Sequence, residues 1–192
     1  ALYGTGCAER IAIAGGLADH PSGRSEALDT VFALYTAGLP RLVPGTDRVA
    51  SDNPTTRRGA LAVLAALVDE ASGDDGFDTG VIDRAAVRSI LDFVLSHPLG
   101  DPDDVVRADA LAASERLVDA CGAVFTADLV SLLEGRVQQG GSGTLVGDRV
   151  HEGAVMLLGA VARHLPAGDG RILSVLDRLL EALPTPSEVV QR

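Results

Sequence analysis

Four short segments of the chain share one layout: a capped turn, an inward-facing residue, a polar residue, a gap, then Ala. They read Thr56-Arg57-Arg58-Gly59-Ala60, Val106-Arg107-Ala108-Asp109-Ala110, Val150-His151-Glu152-Gly153-Ala154 and Val190-Gln191-Arg192. Their first residues lie 50, 44 and 40 positions apart. A period of roughly 40–47 residues belongs to two-helix repeats of HEAT type. Such a unit cannot bury its apolar face alone, so neighbouring units must stack. The longest interval contains the Gly- and Asp-rich stretch Ser72 to Gly80, a natural insertion.

Helical periodicity fills the space between these starts. Leu28, Val31, Phe32, Tyr35 and Leu39 follow i, i+3, i+4, i+7 and i+11. Leu61, Leu64, Ala65 and Val68 keep the same spacing, as do Val87, Ile90, Leu91 and Val94. Val106, Ala110, Ala113 and Leu117 form another stripe, and Leu129, Leu132 and Leu133 begin the next. Val150, Ala154, Leu157 and Val161 are followed by Ile172, Val175, Leu176, Leu179, Leu180 and Leu183. Each stripe gives a helix one apolar face. Turn chemistry separates most stripes: His20 to Gly23, Pro40 to Pro54, Ser72 to Gly80, His97 to Pro102, Gly140 to Gly143, Pro166 to Gly170 and Pro184 to Pro186. Asp101-Pro102-Asp103-Asp104 offers cap oxygens and negative charge at a helix start, where the dipole favours both.

These signals predict an all-α fold, an α-solenoid of HEAT/armadillo-type two-helix repeats. Helices are expected at about 25–39 and 55–69, then 81–96 with 103–120, and 126–137 with 148–164. Helix 171–183 precedes a further start at Ser187, and a weaker helix, Cys7 to Leu17, precedes them all. The whole chain, 1–192, reads as a repeat-array segment of about four units, cut within a repeat at both ends.

Composition narrows function. Among 192 residues, 16 basic side chains, all Arg, face 27 acidic ones, for a formal net charge of −11. Phosphate binding needs surplus positive charge, so direct contact with nucleic acid is not expected of this segment. An apolar fraction of 46% argues against disorder, and 3% aromatic residues argue against a β-sandwich or barrel. The absence of Lys reads as GC-rich coding or halophilic adaptation. No apolar run is long enough to span a membrane.

Motifs for chemistry fail their own tests. His151-Glu152 would need His at 155 to form HExxH, and that position is Val155. The other histidines, His20, His97 and His164, are scattered. Gly140-Gly141-Ser142-Gly143-Thr144 lacks the Lys of a phosphate loop and reads as a flexible inter-helix turn. Asp74, Asp75 and Asp78 lack EF-hand spacing and read as a solvated loop. Cys7 and Cys121 have no CxxC partner and read as small buried hydrophobes. No catalytic, cofactor-binding or metal-binding residue is therefore expected. One constellation reads as structural: Asp101, Asp103 and Asp104 before Arg107, where loop carboxylates and helix arginines could bridge neighbouring units and set their register.

The segment Val150 to Leu165 resembles one repeat of the general-control translational activator family, large HEAT-repeat proteins that bind ribosomes and activate the initiation-factor-2-alpha kinase. Ile172 to Leu183 and then Leu183-Pro184-Thr185-Pro186-Ser187-Glu188-Val189-Val190-Gln191-Arg192 resemble its next unit, most specifically in the Thr-Pro-Ser and Val-Gln runs. Asp101 to Arg107 and Arg57 to Ala62 fall in the expected order upstream. The resemblance covers about Ser25 to Arg192 and implies a central segment of the parent, near its elongation-factor-3-like part. It implies a non-catalytic, cytoplasmic scaffold in the amino-acid starvation response, with ribosome and kinase as partners through the parent protein. The kinase-contacting part of the family lies elsewhere, so no contact residue carries over. The repeat spacing alone also fits another HEAT or armadillo adaptor, such as a transport or phosphatase scaffold. A small helical enzyme or sensor from a halophile is a third reading.

Overall fold

The computed structural model describes residues 21–42, 49–73, 76–141 and 143–182. The expected helix at Cys7 to Leu17 and the start at Ser187 lie outside them, as do Cys7, His20, Asp74, Asp75 and Ser142. Among the described residues six α-helices carry the fold: α1 (Pro21–Ala37), α2 (Pro54–Ala71), α3 (Arg84–Ser96), α4 (Asp104–Gln138), α5 (Leu145–Ala162) and α6 (Arg171–Ala182). A single 3-10 turn, Pro98–Gly100, links α3 to α4. The all-α expectation holds, with two small additions. Arg41–Leu42 (β1) pairs antiparallel with Val49–Ser51 (β2), and Ser72–Gly73 (β3) with Gly76–Phe77 (β4). Two- and three-residue ladders carry too little alternation to be visible in sequence.

Two compact units divide at the first turn of α3, Ala1–Ala86 and Val87–Arg192. In the first, α1 packs on α2. Leu28, Val31 and Tyr35 meet a core that includes Leu61, Leu64 and Val68, all buried. Asn53 starts α2: its side chain accepts from Thr56 N at 3.0 Å, and Pro54 sits where no backbone donor is needed.

In the second unit α4 and α5 form the most extensive helix–helix contact. Val87, Ile90, Leu91 and Val94 of α3 are buried, as are Val106, Ala110, Leu117, Leu129 and Leu133 of α4 and Ala154, Leu157 and Val161 of α5. Asp103 caps α4, accepting from Val105 N and Val106 N at 3.0 Å each. Thr144 caps α5, accepting from Gly147 N at 3.1 Å.

Two helices are expected at 103–120 and 126–137, and the structure forms both back to back within α4, on either side of a kink at Phe125. Only Phe125, at φ −115° and ψ 22°, leaves helical geometry inside it. The contacts of α5 show that the run folds back there. Arg149, near the start of α5, donates to the Asp101 carbonyl just before α4, while Arg163, after its end, pairs with Asp119. So α5 runs alongside limb 1 (104–124), starting level with its beginning. Were α4 straight, its end would lie about 50 Å from that beginning, at 1.5 Å per residue. The six residues between α4 and α5 reach no further than roughly 25 Å. Limb 2 (126–138) must therefore return by more than a right angle. One residue stands in place of a loop between the two limbs.

Candidate functional site

The features that distinguish this fold are polar clamps at the turns between helices and one open apolar face. The first clamp is built on Arg57, on the first turn of α2. Its side chain is 0% exposed. Its guanidinium donates to the Gly38 carbonyl and to Asp52 Oδ1, at 2.5 Å each. Gly38 follows the end of α1, so a carbonyl left over by that helix receives a charged donor. The Asn53 amide adds a bond to the same carbonyl at 3.1 Å. Arg57 thus ties the end of α1 to the start of α2.

The second clamp surrounds Asp101, 2% exposed. Its carboxylate accepts from Asp103 N at 2.9 Å. Its carbonyl receives Arg107 at 2.7 Å and Arg149 at 3.4 Å, and Arg107 also reaches the Pro102 carbonyl at 3.1 Å. The expected bridge between a loop carboxylate and a helix arginine is thus corrected in two respects. Both arginines reach backbone carbonyls, and the bridge to the following hairpin comes from Arg149, which sequence reasoning passed over. The available signal was its place one residue before the recurring Val150. Asp104 stays exposed at the helix start. Packing reinforces the clamp: a Cβ at Gly153 of α5 would lie 2.7 Å from Leu99 Cδ1, so a larger residue there would have to displace the Leu99 side chain.

A third cluster sits at the fold-back of α4. The His164 ring lies over Gly122, where an added Cβ would come within 2.5 Å of Cδ2. Thr126 Oγ1 donates to the Gly122 carbonyl. Hydroxyl back-bonding of this kind bends helices. Arg163 reaches Asp119 at 2.8 Å, across from α5 to limb 1.

The other singled-out residues do not converge. His97 stacks edge-on against Phe93, with ring centroids 5.8 Å apart. His151 lies on α5 and His164 beyond its end. Among the described residues no group of three or more His, Cys, Asp or Glu could hold a metal. Asp78 Oδ1 accepts from Gly80 N at 2.7 Å, a local turn. Gly140 and Gly143 adopt φ of 66° and 68°, shaping the turn into α5. Cys121 is buried and unpaired, and burial pushes its thiol up to about 12. It is an inert core residue at neutral pH.

The open face belongs to α6. Val175 is buried, whereas Leu173, Leu176 and Leu180 are 70%, 47% and 60% exposed at i, i+3 and i+7. Ser174 Oγ donates to Glu134 Oε1 at 2.8 Å, tying α6 to limb 2. Among the described residues no helix is long and apolar enough to cross a membrane.

Comparison with known proteins agrees with this architecture. The family model for the HEAT repeats of the stalled ribosome sensor GCN1 matches residues 7–163. Protein ILITYHIA of Arabidopsis thaliana is 31% identical over 159 residues, covering 73% of this chain and 6% of its own length. The eIF-2-alpha kinase activator GCN1 of Dictyostelium discoideum is 24% identical over 166 residues, covering 86% of the chain and 6% of its own length. Its counterpart of the same name in Saccharomyces cerevisiae is 30% identical over 140 residues, covering 73% of the chain and 5% of its own length. The chain thus spans about one-twentieth of the relatives it matches. No solved structure matches it significantly. The chain belongs to the GCN1 HEAT-repeat family, and its fold is the helical-repeat, α-solenoid class of that family.

Proposed function

We propose that this chain is a non-catalytic scaffold segment of a ribosome-associated translational activator, one that promotes activation of the initiation-factor-2-alpha kinase during amino-acid starvation. The family match over residues 7–163 carries the reading. Relatives bear the names stalled ribosome sensor and eIF-2-alpha kinase activator. The mechanism is presentation of helix surfaces. Clamped turns fix the angle between successive helices, and so the spacing at which distant partner sites on the parent are held. Ribosome and kinase dock through the parent protein in the cytoplasm. The net charge of −11 disfavours phosphate contact by this segment and directs its own contacts toward protein.

On the same reading, 1–192 is a stretch of about four units in a longer array. The leucine face of α6 supports it, because an exposed stripe of this kind is what a further stacked helix would cover.

The test uses the full-length parent. It should co-sediment with ribosomes, and its loss should blunt phosphorylation of initiation factor 2-alpha on starvation. A parent that stays clear of ribosomes, with starvation signalling intact in its absence, sinks the proposal.

A further inference from the structure

The fold-back of α4 is a reversal made without a loop. Limb 1 and limb 2 meet at one residue, Phe125, and the 35-residue run contains no Pro. Its residues are mostly good helix formers, with Gly only at 122 and 135. Nothing in the local sequence therefore forbids a continuous helix through 125. What holds the bend is tertiary: the Arg163–Asp119 pair, the His164 ring over Gly122, the Arg149–Asp101 bond and Leu99 against Gly153.

All four of these contacts join limb 1, or the turn before it, to α5 and the residues just after it. The Arg136–Asp92 pair, 3.6 Å, likewise joins limb 2 to α3. Each lies between a segment before Phe125 and a segment after it. A second copy of the chain can supply the later segment as well as the chain's own. Only the geometry at 125 changes, and there a straight helix gains continuity. We infer that the bend at Phe125 is an exchange hinge: two copies can straighten 104–138 and swap residues 126–182, rebuilding every hairpin contact between chains. Exchange of identical elements is a low-cost route to a dimer when the hinge alone differs.

The experiment measures mass by light scattering during size-exclusion chromatography, after refolding over a range of concentrations. Phe125 is the one residue inside α4 that leaves helical geometry, so Phe125→Ala favours the straight helix. This variant should raise the dimer fraction at least severalfold. Phe125→Gly penalises a continuous helix and should leave the dimer fraction about fivefold below that of Phe125→Ala, the equilibrium equivalent of the Gly–Ala propensity gap. Equal dimer fractions in both variants, or none in either, overturn the inference.

A charge-reversal pair separates exchange from side-by-side association. Asp119→Arg alone, or Arg163→Asp alone, sets like charges against each other within a monomer. In an exchanged dimer of the two, both opposite-charge pairs re-form across chains. Co-refolding should therefore enrich the mixed dimer about two- to threefold over the statistical yield, a size set by the modest worth of exposed pairs. A statistical mixture overturns exchange even if dimers form. Variants that fail to refold are replaced by Asp119→Asn and Arg163→Gln, whose exchanged mixed dimer re-forms one Asp119–Arg163 pair that neither homodimer has and should show a smaller enrichment; a statistical mixture there overturns exchange as well.

Discussion

The two units solve one problem, an orphaned carbonyl at a helical turn, in different ways. In the first unit a single buried guanidinium, Arg57, takes the Gly38 carbonyl and Asp52 together. In the second, Arg107 and Arg149 share the Asp101 carbonyl from two helices, and the close approach of Leu99 to Gly153 packs the turn. A buried guanidinium is costly to take out of water, and breaking its pairing costs more still. A carbonyl shared by two donors loses less when one of them goes. The first unit's turn hangs on one residue, while the second unit's turn is distributed.

That contrast can be broken most sharply at Arg57. Arg57→Ala should cost about 3 kcal/mol, from the lost charge-assisted bond to the Gly38 carbonyl, which keeps only the Asn53 amide, and from the lost packing of a fully buried side chain. Arg57→Lys keeps the charge but not the planar guanidinium whose Nη1 makes both bonds, and should cost roughly half as much. Urea unfolding followed by hydrogen exchange should place the loss in α1 and α2. An unchanged transition would remove the contrast.

A smaller effect is expected at the distributed clamp. Arg107→Ala and Arg149→Ala should each cost about 1 kcal/mol. The double variant should exceed their sum, because only then does the Asp101 carbonyl lose both side-chain donors. A double-mutant cycle measures this coupling, and strict additivity would show the two donors to be independent.

Smaller still is the surface pair at the fold-back. Arg163→Ala should cost at most about 0.5 kcal/mol, and that loss should vanish in molar salt.

The smallest effect is a pH dependence. Bonds from Arg171 hold the Asp169 carboxyl down to about 2, below its ordinary 3.8. A lowered carboxyl pKa stabilises the fold above the unfolded value, and that contribution is lost as pH falls from about 4 through 2. Asp169→Asn should flatten the acid limb of a melting curve in that window. An identical acid limb in both proteins would dissociate Asp169 from stability.

Much of the fold was legible in the sequence, because burial follows the 3.6-residue period closely. Val87, Ile90, Leu91 and Val94 are all buried, as the spacing requires. The stripe in α6 was read correctly as apolar, but Leu176 and Leu180 lie exposed. Periodicity identifies a face and says nothing of whether a partner covers it. The reversal at Phe125 escaped as a junction, since one residue can turn a chain without Gly or Pro at its centre. Its consequence, a helix on either side, was visible from the repeat spacing. The clamps were half legible. Arg57 and Arg107 stood out by position, but their acceptors are backbone carbonyls, which every residue carries and no sequence marks. Arg149 escaped for the same reason.

Cys121 sits on the inner side of limb 1, one residue before Gly122 and its histidine lid. Its thiol is buried and stays protonated at neutral pH. An alkylating reagent can therefore reach it only when this part of the hairpin opens. With Cys7 replaced by Ser, the labelling rate becomes a clock for that opening. The residue with least chemistry of its own thus records how often the core is exposed to water.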